Sequence, residues 1–111
     1  MLNIIFEQKK GPKVAPFSSL VKPVIGGKTS FTCQILSGSP PLQINWFKDD
    51  KKIDNLPAIK ILTNGEVSTL IIDEIKSSHS GNYTCRITNR YGHDSHSAQL
   101  LVEGNFNLPI N

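Results

Sequence analysis

The most constraining feature of the sequence is the spacing of two cysteines, a tryptophan and a tyrosine. Cys33 is followed thirteen residues later by Trp46 and fifty-two residues later by Cys85, and Tyr83 lies two residues before that second cysteine. The segments around both cysteines alternate apolar and polar residues, as strands with one buried face do. This arrangement predicts an all-β fold, a Greek-key β-sandwich of two antiparallel sheets, and argues against an enzyme.

The two cysteines have the same strand phase as their apolar neighbours, so both are expected to point inward. A disulfide between Cys33 and Cys85 would join the two sheets and, by chain-entropy reasoning, stabilise the fold by roughly 4 kcal/mol. Trp46 would cover this bridge, and the Tyr83 hydroxyl would bond to backbone at the turn before its strand. The alternative is a pair of free thiols in the core of a cytosolic domain.

These residues resemble the immunoglobulin superfamily, in particular its I-set. The matching positions are Cys33, Trp46, 70–72 with Ile75, 81–85, Asn89 with Gly92, and 100–102. The likeness covers about residues 12–103. We therefore expect an N-terminal extension at 1–11, one I-set domain at 12–103 and a C-terminal linker at 104–111.

Three short runs, at 79–85, 15–18 and 38–49, are similar to immunoglobulin domains of the arthropod Down syndrome cell adhesion molecules, the Dscam family. This resemblance implies homophilic, isoform-specific binding between cell surfaces, for neuronal or immune recognition. The partner would be an identical domain on an opposing chain, in an antiparallel homodimer. The domain would then be extracellular, as part of a single-pass membrane protein.

His79 departs from the I-set pattern. Most I-set domains carry aspartate four residues before the tyrosine, where it pairs with a basic residue on a neighbouring strand. A histidine cannot form that usual salt bridge, so replacing His79 by aspartate is expected to be neutral or slightly stabilising.

Length and charge agree with a single recognition domain. The chain has 111 residues, enough for one core, and it lacks an apolar run of 18 residues, so no direct membrane insertion is expected. The net charge is +3, with a small basic cluster at Lys9, Lys10 and Lys13. Lysines and aspartates alternate at 48–54. These charges are expected to be solvated loop charges, and the modest balance predicts neither heparin-like nor nucleic-acid binding.

We find no pattern for a catalytic, metal or cofactor site. The three histidines are His79, His93 and His96, and strand residues two or three apart do not converge well on a metal. No Gly-x-Ser-x-Gly turn, carboxylate pair in an apolar run or glycine-rich phosphate loop is present. Asn82-Tyr83-Thr84 is the single glycosylation sequon, and alternation points Asn82 outward, as in a secreted domain.

Turn residues divide the domain into predicted strands B to G, at 28–36, 42–48, 58–63, 67–73, 82–88 and 95–102. On strand E, Leu70 and Ile72 are expected in the core, and on strand D, Ile59 and Ile61. The outer face of the A-B-E-D sheet is the predicted homophilic interface, formed by Lys28, Lys60, Leu62, Thr69, Ile71 and Asp73. Leu62 and Ile71 would be its apolar centre. On the other sheet, Phe47 and Leu101 point outward.

Two other functions remain open at this point. One is a heterophilic receptor or ligand module that uses either sheet face or the end loops. The other is an intracellular I-set spacer of the kind found in giant muscle proteins, which would have free thiols and no glycan.

Overall fold

The computed structural model describes residues 9–19, 22–53 and 56–102, which form two four-stranded antiparallel sheets. The strands are β1 (Lys13–Val14), β2 (Thr29–Ser37), β3 (Gln43–Lys48), β4 (Lys51–Lys52), β5 (Ile59–Asn64), β6 (Val67–Ile72), β7 (Gly81–Asn89) and β8 (Gly92–Leu100), with a short 3₁₀ turn at Ser77–His79. One sheet has the order β1-β2-β6-β5 and the other β4-β3-β7-β8. The predicted all-β sandwich is confirmed, whereas the predicted linker at 104–111 and most of the extension at 1–11 lie outside the described residues.

The last strand begins and ends earlier than the sequence suggested. Asn89 pairs with Gly92 across a two-residue turn, so β8 starts directly after that turn rather than at residue 95. The ladder ends where Leu100 pairs with Gly81, and beyond it the backbone N–H of Val102 donates to the Ser80 hydroxyl at 3.1 Å. Leu101 therefore follows the strand instead of belonging to it.

The core lies between the sheets and follows the alternation of each strand. Its buried apolar members are Val14, Phe31, Cys33, Ile35, Trp46, Ile53, Leu70, Ile72, Ile75, Tyr83, Cys85, Ile87 and Leu100. Each fully buried aliphatic or aromatic side chain contributes roughly 1.5–3 kcal/mol through removal from water. Ile61 corrects the prediction for strand D: it stays 37% exposed, because β5 is the edge of its sheet.

Candidate protein-recognition face

A disulfide joins Cys33 of β2 to Cys85 of β7, and so joins the two sheets. Trp46 lies directly beside Cys85 in the register of β3 and β7. Its indole N–H crosses the core and donates to the Oγ of Ser68 at 2.8 Å. Ser68 is fully buried, and its hydroxyl also shares a 2.9 Å hydrogen bond with Thr63. Ser68 was not among the predicted core residues, although its phase on β6, two residues before Leu70, places it inward.

The Tyr83 hydroxyl donates to the backbone carbonyl of His79 at 2.6 Å, at the turn before its own strand. Burial, with the nearby Asp49 charge, raises the pKa of Tyr83 well above its usual range. His79 itself is buried, and its Nδ1 accepts the backbone N–H of Lys76 at 2.9 Å. His79 therefore satisfies a backbone donor of this corner. This corrects the interpretation of His79 as only the loss of the usual aspartate salt bridge.

The pKa of His79 is lowered, first by burial and then by the positive charges of Lys48 and Lys76. The neutral ring is the form that can accept the Lys76 N–H at Nδ1. The corner consequently favours neutral histidine both electrostatically and through its hydrogen bond.

The outer face of β2, β6 and β5 is ordered in three cross-strand rows, which follow from the register of the two strand pairs. The rows are Ser30–Ile71–Lys60, Thr32–Thr69–Leu62 and Gln34–Val67–Asn64. Leu62, in the middle row, is 61% exposed, and Val67, in the row on one side of it, is 37% exposed; Ile71, in the row on the other side, is half-buried. Val67 belongs to this apolar strip and was missed, although it shares the phase of Thr69 and Ile71.

All six residues of the predicted interface line one shallow groove on this face. The groove is lined by Lys28, Thr29, Ser30, Lys60, Leu62, Thr69, Ile71 and Asp73. At its end, Asp73 pairs with Lys60 at 3.0 Å and with Lys28 at 3.6 Å. The hydrogen bond from Lys60 is the main cause of a lowered pKa of Asp73. These exposed ion pairs add little to stability.

The sequon lies on the other sheet. Asn82 is exposed on the outer face of β7, and its backbone N–H donates to Asp49 Oδ1 at 2.9 Å. The Asp49 N–H in turn donates to the Asn82 carbonyl at 2.8 Å. Phe47 is half-buried and pairs with Thr84, two residues along the strand from Asn82. A glycan at Asn82 would thus stand on the face that carries Phe47.

The histidines of β8 point to opposite sides of their sheet. His93 is exposed and lies opposite Thr88, whereas His96 pairs with Cys85 and packs inward against Phe17, with 4.7 Å between ring centroids. Within residues 9–19, 22–53 and 56–102, no three histidine, cysteine or acidic side chains are placed to hold a metal ion. The same residues contain no helix of the length and apolarity that a membrane span needs.

A two-sheet sandwich with an inter-sheet disulfide, a tryptophan beside it and a tyrosine corner defines the immunoglobulin class of domains. The Immunoglobulin I-set domain family matches residues 12–102, so the chain belongs to that family. The I-set assignment made from the sequence is confirmed.

Similar proteins include both myopalladin and a growth factor receptor. Mouse myopalladin is 37% identical over 79 residues, covering 71% of this chain and 6% of its own length. Rat vascular endothelial growth factor receptor 1 is 44% identical over 80 residues, covering 72% of this chain and 6% of its own length. Because the chain spans only about a seventeenth of these proteins, their overall activities are not carried over to it.

Similar solved structures include a Dscam1 domain and titin domains. The Dscam1 Ig7 domain, isoform 5, has a TM-score of 0.79 and 28% identity, covering 84% of this chain and 97% of that one. The titin I-band fragment I67-I69 has a TM-score of 0.78 and 30% identity, and the match covers 86% of this chain and 33% of the titin fragment. The titin domains Z1Z2, solved in complex with telethonin, have a TM-score of 0.78 and 29% identity, and the match covers 87% of this chain and 50% of the titin chain. Dscam likeness is thus structural, while similar sequences include both receptor and muscle proteins.

Proposed function

We propose that this I-set domain is an extracellular recognition module of a single-pass membrane protein, and that it binds an identical domain on an opposing chain. The observation that carries the proposal is the groove on β2, β6 and β5, where exposed Leu62 lies beside Ile71 and a lysine–aspartate cluster. An apolar strip with a polar rim is the usual composition of a protein interface. Residues 12–103 would be the recognition unit, with 1–11 and 104–111 flanking it.

The three rows make this face self-complementary under a two-fold axis. Two copies can face each other across a two-fold axis that lies midway between their faces and runs along the middle row, across the strands. This axis sets each strand antiparallel to its counterpart in the other copy. Leu62 then meets Leu62, and Ile71 meets Val67 of the other copy. Lys60 meets Asn64, next to the β5–β6 turn that carries Glu66. No like charges oppose each other in this register, so isoform specificity would arise from changes at these paired positions.

The position of Asn82 supports this face over the other. In a secreted domain, a glycan on Asn82 would cover part of the β3–β7–β8 surface near Phe47. The groove lies on the opposite sheet and would stay uncovered. We therefore assign the glycan and the homophilic contact to different sides of the sandwich.

Two rival functions have support of their own. Similarity to myopalladin and titin favours an intracellular spacer, and the titin Z1Z2 structure, solved in complex with telethonin, supports protein binding by such domains. Similarity to vascular endothelial growth factor receptor 1 favours heterophilic recognition. The paired cysteines weigh for the extracellular functions, because disulfides persist in oxidising compartments. The structural likeness to the Dscam1 Ig7 domain and the self-complementary rows favour homophilic recognition.

A bead-clustering assay tests the proposed function. Beads that carry this domain should cluster with one another and should sort away from beads that carry a related I-set domain with different residues in the three rows. Beads with Leu62→Asp should not cluster. Mixed clusters of both domains would support heterophilic or non-selective adhesion instead, and dispersed wild-type beads would contradict adhesion by this domain.

A further inference from the structure

One end of the sandwich is built from three chain segments that Asn89 holds together. Its side-chain Nδ2 donates to the carbonyl of Lys10 at 2.8 Å and to that of Ser39 at 2.9 Å. Its Oδ1 accepts the backbone N–H of Tyr91 at 2.9 Å. Lys10 and Ser39 are joined further by two hydrogen bonds, Lys10 N–H to Ser39 Oγ at 2.9 Å and Ser39 N–H to the Lys10 carbonyl at 3.0 Å.

The hydrogen bonds of Asn89 bring together cationic residues that are far apart in the sequence. Lys9, Lys10 and Arg90 line one concavity, together with Gly38, Ser39, Pro40 and Tyr91. Among the described residues that line it, none is acidic. Tyr91 is exposed and presents its ring at the same rim. This cluster contrasts with the lysines at 48 and 60, each of which pairs with an aspartate.

We propose that this end of the domain binds a sulfated polysaccharide. Clustered cations attract a linear polyanion by releasing its bound counterions, and three converging side chains suit successive sulfate groups. The exposed Tyr91 ring offers an apolar body with a polar tip, against which a sugar ring can pack. Asn89 acts as a positioning residue, because it fixes the backbone that carries Lys10 and Arg90.

The surroundings favour a sulfated glycan over a nucleic acid. Single-stranded nucleic acids are bound by several aromatic platforms along a basic groove, whereas this concavity has one tyrosine. The inter-sheet disulfide also fits a secreted or cell-surface domain, because disulfides are rare in cytosolic and nuclear proteins.

The test compares two variants that lose the same charge. Lys10→Ala with Arg90→Ala removes two cations from the concavity, and Lys51→Ala with Lys52→Ala removes two exposed cations from β4. Binding of a defined heparin oligosaccharide is measured by calorimetry at several salt concentrations. The first variant should reduce the slope of log affinity against log salt by about 2, as for two lost phosphate contacts, and the second should leave it near wild type.

Three outcomes would overturn the proposal. Equal losses in the two variants would mean non-specific attraction to a basic protein. Undiminished binding of desulfated heparin would remove the role of the sulfates, and equally tight binding of a DNA duplex would remove the preference for a glycan. A thermal melt of each variant verifies that it is folded. Because the concavity and the groove on β2, β6 and β5 share no lining residue, failure of this assay would leave the homophilic proposal untouched.

Discussion

Trp46 and Ser68 are joined across the sandwich by a 2.8 Å hydrogen bond from the indole N–H of β3 to the hydroxyl of β6. Ser68 lies opposite Cys33 in the β2–β6 register, and Trp46 lies opposite Cys85 in the β3–β7 register. The disulfide and this hydrogen bond therefore connect the same two neighbouring positions of each sheet. This single contact satisfies the indole N–H donor of Trp46 inside the buried core.

Replacing Ser68 by alanine should reveal the cost of leaving that indole donor unpaired. A buried donor without a partner costs about 1–3 kcal/mol, so the free energy of unfolding should fall by that amount in urea titrations. Ser97→Ala is the matched control, because Ser97 is an exposed serine whose hydroxyl bonds to Thr84 at 2.6 Å. If both variants change stability by less than about 0.5 kcal/mol, the role given to Ser68 is wrong.

The disulfide gives a second stability prediction. Replacing Cys33 and Cys85 together by alanine should cost roughly 2–5 kcal/mol. In protein purified from an oxidising compartment, neither cysteine should react with a thiol reagent before reduction. Complete labelling of both cysteines in the folded, unreduced protein would contradict the bridge and would favour the intracellular spacer.

His79 predicts a pH dependence with a definite sign. Its pKa is lower in the folded than in the unfolded chain, so the unfolded chain takes up the proton first as the pH falls. The stability contributed by neutral His79 is complete above the unfolded pKa of about 6.5 and is lost as the pH falls through the folded pKa. Urea midpoints should therefore decrease for wild type between about pH 7 and about pH 5.

His79→Asp is the comparison for that titration. The aspartate can also accept the Lys76 N–H and is ionised above about pH 5, so this variant should lose the histidine-dependent slope. At neutral pH it should lie within about 1 kcal/mol of wild type. A loss of several kcal/mol would show that the imidazole makes contacts that a carboxylate cannot replace.

Much of this structure follows from short-range patterns in the sequence. The spacing of Cys33, Trp46, Tyr83 and Cys85, with the I-set resemblance, indicated the fold. Alternation on strand E gave the inward phase of Leu70 and Ile72, because a strand period of two assigns every side chain to a face. The same rule placed Lys60 and Leu62 outward on β5. It could not anticipate that Ile61 stays exposed, since that depends on β5 being an edge strand.

Contacts between distant segments could not be predicted from the sequence alone. Asn89 matched the I-set pattern, but its bonds to Lys10 and Ser39 depend on three loops meeting at one end of the sandwich. The packing of Phe17 against Trp46, with 5.6 Å between ring centroids, also needed the tertiary structure. The hydrogen bond at His79 Nδ1 was missed because the residue was compared with the family pattern and not with its own backbone neighbours.

The glycosylation site gives a prediction that separates the two faces. Protein from a secretory expression host should carry one N-linked glycan at Asn82, and Asn82→Gln should remove the corresponding mass. Because Asn82 is on the sheet opposite the groove, self-association should be the same for both proteins. A gain in self-association in the glycan-free variant would place the contact on the β3–β7–β8 surface.

Sedimentation velocity of three variants tests the homophilic contact through the groove. Leu62→Asp would set two carboxylates against each other at the two-fold axis, Ile71→Asp changes the same strip, and Phe47→Asp is the control on the other sheet. We expect a concentration-dependent dimer for wild type and Phe47→Asp, and monomers for Leu62→Asp and Ile71→Asp, all with folded melting curves. A dimer that survives Leu62→Asp but is lost in Phe47→Asp, or a wild-type domain that stays monomeric at high micromolar concentration, would contradict the homophilic contact.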